Sequence, residues 1–392
     1  MKANSFDIII AGAGISGLLL ASQLSQNFSV LVLEKNAELP SSKYWLTTSD
    51  CLIDNEFLND CLDCNYDHMN FISHDLASYK LEGSYTLWDS EKLLNKLKKQ
   101  VRLNNGVLLY SHRFYSSFIN NSRIKVLAND KEFSGKLLID CMGYASPLIL
   151  AKSAMQIVGY HLLYGAVLKT KINTSPVCLA NTCISNNPVY LEIFPRSDGN
   201  AYVSLIKPLS QINNIHSLKS EFDFITQQSI YSSYFENTSP INELGGIVPV
   251  GIIKSGAFDR VFFFGEAAQM NPSATGTCLT MLLKHYKVVA EFLKGKIENS
   301  RLTKSDLEKS PIVINKFSRN FQLFLFKEML TWKSDDFAKF LTLLNHIDNN
   351  SINNFLFDQI KISDFFKREN LYSVLKSRNV MWLRPFIKSI IN

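Results

Sequence analysis

The sequence of 392 residues has no run of roughly 18 or more apolar residues, so we expect no helix that crosses a bilayer. A large excess of charge of one sign is also missing, because the formal net charge is +6 and the pI is about 8.8. This mild basic balance permits attraction to an anionic membrane surface or an acidic carrier, but it falls short of a nucleic-acid-binding signature. Hydrophobic residues make up 46% and charged residues 19%, as is typical of a globular protein.

Cysteine is sparse and odd in number, with seven scattered residues, which suits a reducing compartment. The pair Cys61-x-x-Cys64 has no second pair or histidine cluster at metal spacing, so we expect ordinary thiols and no metal. The first residues have the pattern of a strand, and not of a charged leader followed by an apolar core. We therefore expect a cytoplasmic location.

A βαβ unit opens the chain. Residues 6–12 read as a buried strand, 15–26 as a helix and 30–33 as a second buried strand, which together predict a parallel sheet. The intervening G-x-G-x-x-G turn is expected to hold a dinucleotide pyrophosphate at the helix N-terminus. Its residues are Gly12, Ala13, Gly14, Ile15, Ser16 and Gly17. Glu34 and Lys35 follow the second strand, where ribose hydroxyls are expected. This motif alone does not separate NAD from FAD.

Later segments predict a division into five parts. Residues 36–85 are polar and loop-rich, a helix is expected near 89–101, and short strands near 107–112 and 122–127. Residues 155–250 alternate strand-like segments with turns, which predicts an inserted antiparallel sheet, and the pattern after residue 300 is helical. The predicted units are residues 1–80 (βαβ unit and loop), 81–155 (continuation), 156–250 (substrate domain), 251–300 (return of the nucleotide-binding domain) and 301–392 (helical region).

Two segments resemble the FAD signatures of the glutathione-reductase-type fold. Residues 138–146 are similar to its segment of a strand, an Asp, a glycine and a Ser, and residues 264–272 are similar to its Gly-Asp-Ala-Ala signature. The resemblance implies a Rossmann-like FAD-binding domain with non-covalently bound FAD. It also implies that the flavin side of the cofactor contacts Gly143, Gly265, Glu266, Gly276 and Thr277.

Within that superfamily the chain resembles three branches. The motif at residues 188–199 is similar to the substrate-domain motif of geranylgeranyl reductases, in which a Trp stands where Glu192 stands here. Residues 272–276 are similar to a segment of lycopene cyclases, but the paired glutamates of those enzymes are missing near residues 202–206. Flavin-dependent aromatic hydroxylases begin the helix near residue 90 with an Arg that contacts FAD. Ser90, Glu91 and Lys92 occupy that region here, so this contact is either changed or supplied by Arg113.

Glu192 is the leading catalytic candidate, because it lies in an apolar strand where an unpaired charge is costly. If it faces a cavity, burial raises its pKa and makes it a usable acid. The alternative is an outward-facing carboxylate paired with Arg196 or Lys207. Tyr190 shares a face with Glu192 in a regular strand and either lines a pocket or packs the sheet.

Cys51 is a third catalytic candidate. It lies in the region where geranylgeranyl reductases carry a functional cysteine, although the flanking glycines of that motif are missing. Lys43, Tyr44 and Trp45 lie on a loop that runs toward the flavin in this fold.

These patterns predict an α/β fold, with an FAD-binding domain, an inserted antiparallel sheet and a helical C-terminal region. The expected function is that of an FAD-dependent oxidoreductase, a reductase or a monooxygenase, that acts on a largely apolar small molecule. The alternative is a non-redox isomerase of the lycopene-cyclase type that uses reduced FAD. There is no second glycine turn, so electrons would come from transiently bound NAD(P)H or from a separate reductase. The amphipathic basic segment at residues 370–392 is compatible with peripheral contact with a membrane at its inner face, and equally with packing on the protein itself.

Overall fold

A computed structural model of the protein describes residues 4–38, 43–72, 78–143, 146–151, 154–171, 176–180, 189–212, 216–227, 232, 234–312, 315–344, 346–367 and 387–388. The strands within these ranges are β1 Ile8–Ala11, β2 Val30–Leu33, β3 Trp45–Thr48, β4 Leu62–Ile72, β5 Ser78–Trp88, β6 Val107–Leu109, β7 Phe114–Asn120, β8 Arg123–Ala128, β9 Lys131–Gly135, β10 Leu137–Asp140, β11 Met155–Lys169, β12 Val177–Ala180, β13 Tyr190–Pro195, β14 Asn200–Leu209, β15 Asn242–Ile253, β16 Ala257–Phe258 and β17 Val261–Phe263.

The helices of the described residues are α1 Ile15–Leu24, α2 Ser90–Leu103, α3 Pro147–Ala151, α4 His216–Gln227, α5 Cys278–Glu298, α6 Lys304–Leu307, α7 Lys316–Met329, α8 Ser334–Leu344, α9 Asn349–Leu356 and α10 Ile362–Phe365. Short 3-10 turns occur at Ser49–Leu52, Glu56–Cys61 and Gly265–Ala268. None of these helices has both the length and the apolar composition that crossing a membrane requires.

The six-stranded sheet has the order β16-β17-β10-β1-β2-β6 and is parallel except at β16. Strands β1, β2 and β10 are apolar along almost their whole length and fully buried, as parallel strands covered on both faces must be. Helix α1 follows β1 directly. The predicted βαβ unit is confirmed.

A larger sheet of eight strands has the order β15-β11-β14-β13-β12-β4-β5-β3. Its pairs are antiparallel except for β12 with β4, which is parallel, so the predicted antiparallel sheet is in fact mixed. Three of its strands come from residues 45–88, which lie outside the predicted substrate domain. The prediction of a loop-rich stretch over residues 36–85 is therefore wrong. The many polar residues of β4 suggest a loop, whereas their alternation with apolar residues is typical of a strand with one exposed face, interrupted here by two register shifts.

Helices cover both faces of this larger sheet. On one face α4 packs through Leu218, Phe222 and Ile225. On the other face the helices α7 to α10 form an aromatic cluster with the sheet. These helices confirm the predicted helical C-terminal region. The remaining three of the strands given above form an antiparallel sheet in the order β7-β8-β9. The predicted amphipathic tail at residues 370–392 lies outside the described residues, apart from residues 387–388.

Candidate active site

The carboxyl ends of four parallel strands bring the predicted cofactor segments together. Gly12 follows β1, Glu34 follows β2, Gly143 lies beyond β10 and Gly265 lies beyond β17. The three glycines have positive φ angles of 103°, 66° and 74°. Chain turns of this kind at the carboxyl edge of an open parallel sheet create a crevice in which ligands bind.

At two of the three glycines of the turn, neighbouring backbone atoms leave no room for a side chain. A Cβ atom on Gly12 would lie 2.4 Å from the carbonyl oxygen of Cys141, and one on Gly17 would lie 2.0 Å from that of Gly12. A Cβ atom on Gly14 would meet nothing within 4 Å. Gly14 is also the N-cap of α1, which has no side-chain cap, so the first N–H groups of the helix remain available to an anion.

Glu34 links the ends of the first two strands. Its side chain is buried, and its carboxylate accepts hydrogen bonds from the backbone N–H groups of Ala13 at 3.1 Å and Asn36 at 3.0 Å. Lys35 and Arg113 are exposed. The backbone of His112, the neighbour of Arg113, donates to the carbonyl oxygen of Glu34 at 2.8 Å, which places Arg113 at the same edge. Its contact with a cofactor stays a prediction.

Glu266 lies over Gly143. A Cβ atom on Gly143 would be 2.6 Å from Oε2 of Glu266, so only glycine allows this approach. No hydrogen bond to the Glu266 carboxylate comes from the described residues. Gly276, with φ of 71°, and Thr277 immediately precede α5, and the Thr277 hydroxyl donates to the carbonyl oxygen of Leu356 at 2.6 Å.

Asp140 is a buried acid beneath this edge. Its carboxylate accepts hydrogen bonds from the Ser146 hydroxyl and from the backbone N–H of Met142 at 3.0 Å. Desolvation nevertheless raises the pKa of Asp140 to about 6. The two residues between Gly143 and Ser146 lie outside the described part of the chain. By accepting hydrogen bonds from Met142 and Ser146, which lie on either side of Gly143, Asp140 holds this loop in place.

A cavity of about 270 Å³ lies between the larger sheet, the loop at residues 271–279 and the C-terminal helices. Most of its wall is apolar or aromatic. Representative lining residues from the sheet and the helices are Met69, Phe71, Leu325, Met329, Phe337 and Phe340. Glu266, Gly276 and Thr277 also line it, so it adjoins the edge of the parallel sheet. Lys43, Tyr44 and Trp45 lie in its wall as well.

Glu192 faces this cavity. The Tyr44 hydroxyl donates a hydrogen bond of 2.8 Å to Oε2 of Glu192. The carboxyl group lies deep among protein atoms, and desolvation outweighs this hydrogen bond, so that the pKa of Glu192 rises to about 7. Tyr190 and Phe194 line the same cavity, which confirms that the three residues share one face.

The predicted alternative, in which Glu192 faces outward and pairs with Arg196 or Lys207, is wrong. Arg196 pairs with Asp63 at 2.8 Å, and Lys207 pairs with Glu221 at 2.8 Å. Both basic residues are therefore held by other carboxylates.

Tyr44 is a candidate site residue whose contact with Glu192 the sequence did not predict. It lies 148 residues from Glu192 in the chain, and no local pattern links the two. Its ring lies 5.4 Å from that of Phe194 and stacks at 5.2 Å on Tyr202. The guanidinium of Arg196 lies 4.9 Å above the Tyr202 ring. These aromatic contacts fix the position of the Tyr44 hydroxyl.

His161 and Asn271 were also missed. Both are 3% exposed and line the cavity. Nε2 of His161 lies 2.8 Å from the carbonyl oxygen of Ser273, which can only accept, so Nε2 carries the proton. Nδ1 of His161 and both polar atoms of the Asn271 amide have no hydrogen-bond partner among the described residues. A single histidine in an apolar strand gives no sequence signal for this arrangement.

Cys51 does not reach the cavity. It is buried against α5, with Sγ 4.0 Å from the carbonyl oxygen of Thr280, and burial raises its pKa to about 11. A thiol of this kind is mostly protonated and enclosed, which argues against the predicted catalytic role. Cys61 and Cys64 are free thiols. Among the described residues, no group of three or more His, Cys, Asp or Glu could hold a metal ion.

Comparison with known proteins supports the same architecture. Residues 7–178 match the model of the lycopene cyclase protein family, which is less than half of the chain. The structure is similar to a geranylgeranyl bacteriochlorophyll reductase-like protein from Thermoplasma acidophilum, with 14% identity, a TM-score of 0.72, and coverage of 96% of this chain and 99% of the other. No match was found among curated proteins.

Two further solved structures show the same likeness. One is p-nitrophenol 4-monooxygenase from Pseudomonas putida, with 14% identity, a TM-score of 0.65, and coverage of 97% of this chain and 99% of the other. The second is the halogenase PltM in complex with FAD, with 11% identity, a TM-score of 0.64, and coverage of 97% and 86%. The chain has the Rossmann-like fold of these flavoproteins. At such identities the likeness establishes the fold alone.

Proposed function

We propose that the protein is an FAD-dependent oxidoreductase that acts on a largely apolar organic substrate held in the cavity. The observation that carries this proposal is the arrangement of that cavity. Its apolar wall adjoins the glycine-rich edge of the parallel sheet, and it contains the buried acid Glu192. An apolar pocket with a few polar groups and a perturbed acid is typical of an active site.

The residues at the sheet edge fit FAD. The open space over Gly14 and the uncapped start of α1 suit a pyrophosphate, with Glu34 and Lys35 near the adenosine ribose. Glu266, which has no partner from the described residues, suits the hydroxyls of the ribityl chain. Gly276 and Thr277, at the start of α5, suit the electron-rich edge of the flavin. When bound, FAD supplies hydride transfer to or from the substrate.

The protein contributes a proton at Glu192. Its pKa of about 7 leaves the neutral acid populated near neutral pH, while Tyr44 holds Oε2 of this cavity-lining residue. Reduction of a carbon–carbon double bond adds one hydride and one proton, so this acid completes the reaction. We therefore favour reduction of a polyprenyl-like double bond over oxidation by oxygen. The aromatic wall excludes water, and NAD(P)H or a separate reductase supplies the electrons.

A second candidate is a lycopene-cyclase-like isomerase. The family match over residues 7–178 and the same buried acid favour it, because cyclisation needs a proton and no net electrons. The match ends before Glu192 and before the C-terminal helices that enclose the cavity. The oxidoreductase is therefore the better supported of the two.

Anaerobic turnover separates the two candidates. The protein is isolated with its flavin, reduced, and mixed without oxygen with a polyunsaturated isoprenoid such as geranylgeraniol or lycopene. Return of oxidised-flavin absorbance together with a product two hydrogens heavier supports the reductase. An isomeric product without flavin oxidation supports the cyclase. An oxygenated product that forms only after oxygen is admitted supports a monooxygenase.

The variant Glu192→Gln tests the proton donor in the same assay. We expect turnover to fall at least about a hundredfold, while reduction of the flavin by an artificial donor is unchanged. Glu243→Gln is the matched control, because Glu243 is an exposed carboxylate bound to Lys219 on another part of the sheet. Full activity of Glu192→Gln would remove Glu192 from the mechanism.

A further inference from the structure

The cavity has two polar ends separated by an apolar stretch. Along β14, Ser204 is paired with Glu192 of β13, and Pro208, four residues further on, is paired with His161 of β11. Four residues of a strand and two strand spacings place Glu192 and His161 roughly 16 Å apart on the same face. Between them lie Leu163, Ile206 and Tyr190, which all line the cavity.

The end near His161 contains polar atoms that form no hydrogen bond with the described part of the chain. Because Nε2 of His161 donates to Ser273, Nδ1 can only accept a hydrogen bond. Desolvation also lowers the pKa of His161 to about 4, so the ring is neutral. Asn271 offers a donor, Nδ2, and an acceptor, Oδ1, and neither has a partner within the residues that the structure describes. Buried polar groups are almost always hydrogen-bonded, so these atoms indicate a polar ligand group.

We propose that His161 and Asn271 bind a hydroxyl group at one end of an elongated apolar substrate, an inference that rests on the proposed function. A hydroxyl group fits both partners, since its O–H donates to Nδ1 of His161 and its oxygen accepts from Nδ2 of Asn271. The rest of the molecule then lies along the apolar stretch, and its reacting carbons lie toward Glu192. The substrate class is a long-chain alcohol.

Matched ligands test this assignment without turnover. Dodecanol and dodecyl methyl ether have the same chain, and only the alcohol can donate to His161. Binding to the protein with its flavin is followed by tryptophan fluorescence, since Trp45 lies in the cavity wall. We expect His161→Phe to weaken dodecanol binding roughly tenfold and to change ether binding by less than about twofold. Asn271→Leu should weaken the binding of both ligands, because the ether oxygen can also accept from Nδ2 of Asn271. His161→Phe retains a ring beside Phe326, which lies 4.9 Å from the imidazole.

The control variant is Leu163→Met, which alters the apolar stretch and is expected to affect both ligands equally. Equal weakening of alcohol and ether by His161→Phe, or unchanged dodecanol binding in Asn271→Leu, would overturn the inference. Loss of flavin from these folded variants, without discrimination between the ligands, would also overturn it and assign the polar atoms to the cofactor. If the wild-type protein binds neither ligand, the apolar substrate of the proposed function fails, and this inference with it.

Discussion

The edge of the parallel sheet and the cavity beside it are built in different ways. At the sheet edge each feature follows from residues close together in the chain, such as the turn from Gly12 to Gly17 and the acid that ends β2. The cavity combines strands from residues 45–88 and 155–253 with helices after residue 315. Its chemistry depends on pairs such as Tyr44 and Glu192, which only the tertiary fold brings together.

This difference predicts that substitutions can impair the sheet edge and the cavity independently of each other. Backbone contacts leave no room for a side chain at Gly12 and Gly17 of the sheet edge, so substitutions at these two positions should remove both stability and cofactor. In the cavity, side chains meet across an open space, so substitutions should change packing and protonation while the cofactor stays bound.

The largest expected effect is that of Gly17→Ala. The added Cβ would lie 2.0 Å from the carbonyl oxygen of Gly12, so α1 must shift from β1. We expect a loss of about 3 kcal/mol in the free energy of unfolding, together with loss of FAD. Thermal unfolding and the FAD content per chain measure both. Gly14→Ala is the control, since its Cβ meets nothing within 4 Å, and it should retain the melting temperature and weaken only FAD binding. Equal stability of the two variants would contradict the steric account.

Phe340→Ala should destabilise the protein by about 3 kcal/mol or more without loss of FAD. Phe340 is buried in the cavity wall and lies 5.2 Å from Trp332. Urea unfolding measures the change, and Phe224→Ala, at a residue 56% exposed on α4, should cost less than about 0.5 kcal/mol. If FAD is lost in proportion to stability, the two regions are not separable.

Protonation of Glu192 should make stability depend on pH. Its pKa is raised from the model-compound value of 4.5 to about 7, so the folded state binds the proton more tightly than the unfolded state. The resulting stabilisation is fully present below pH 4.5 and is lost as the pH rises through about 7. Relative to Glu192→Gln, the wild-type free energy of unfolding should fall by up to about 3 kcal/mol over this range. Parallel pH profiles of the two proteins would show that Glu192 titrates normally.

Tyr44→Phe should have the smallest effect. The Tyr44 hydroxyl stabilises the charged form of Glu192, so its removal should raise the pKa of Glu192 further. Difference infrared spectra against Glu192→Gln would show the neutral carboxyl band persisting to higher pH. Tyr164→Phe is the matched control, because the Tyr164 hydroxyl donates to Glu243. A lower or unchanged pKa in Tyr44→Phe would contradict the assigned hydrogen bond.

Sequence reasoning located the sheet edge because glycine turns and buried apolar strands are local patterns. It also identified Glu192, because an acid in an apolar strand conflicts with its surroundings. It failed for β4 and β5, in which many polar residues alternate with apolar ones, and for the contacts of Tyr44, His161 and Asn271. Those partnerships are set by strand register and by the C-terminal helices, and no spacing in the chain encodes them.

Binding of FAD at the edge of the parallel sheet can be tested by the cofactor content of the purified protein. We predict a yellow protein that releases one FAD per chain when it is denatured, and that regains its colour when FAD is added to the refolded or stripped protein. We also predict that Gly17→Ala is colourless. A colourless wild-type protein that cannot be reconstituted with FAD would contradict the account.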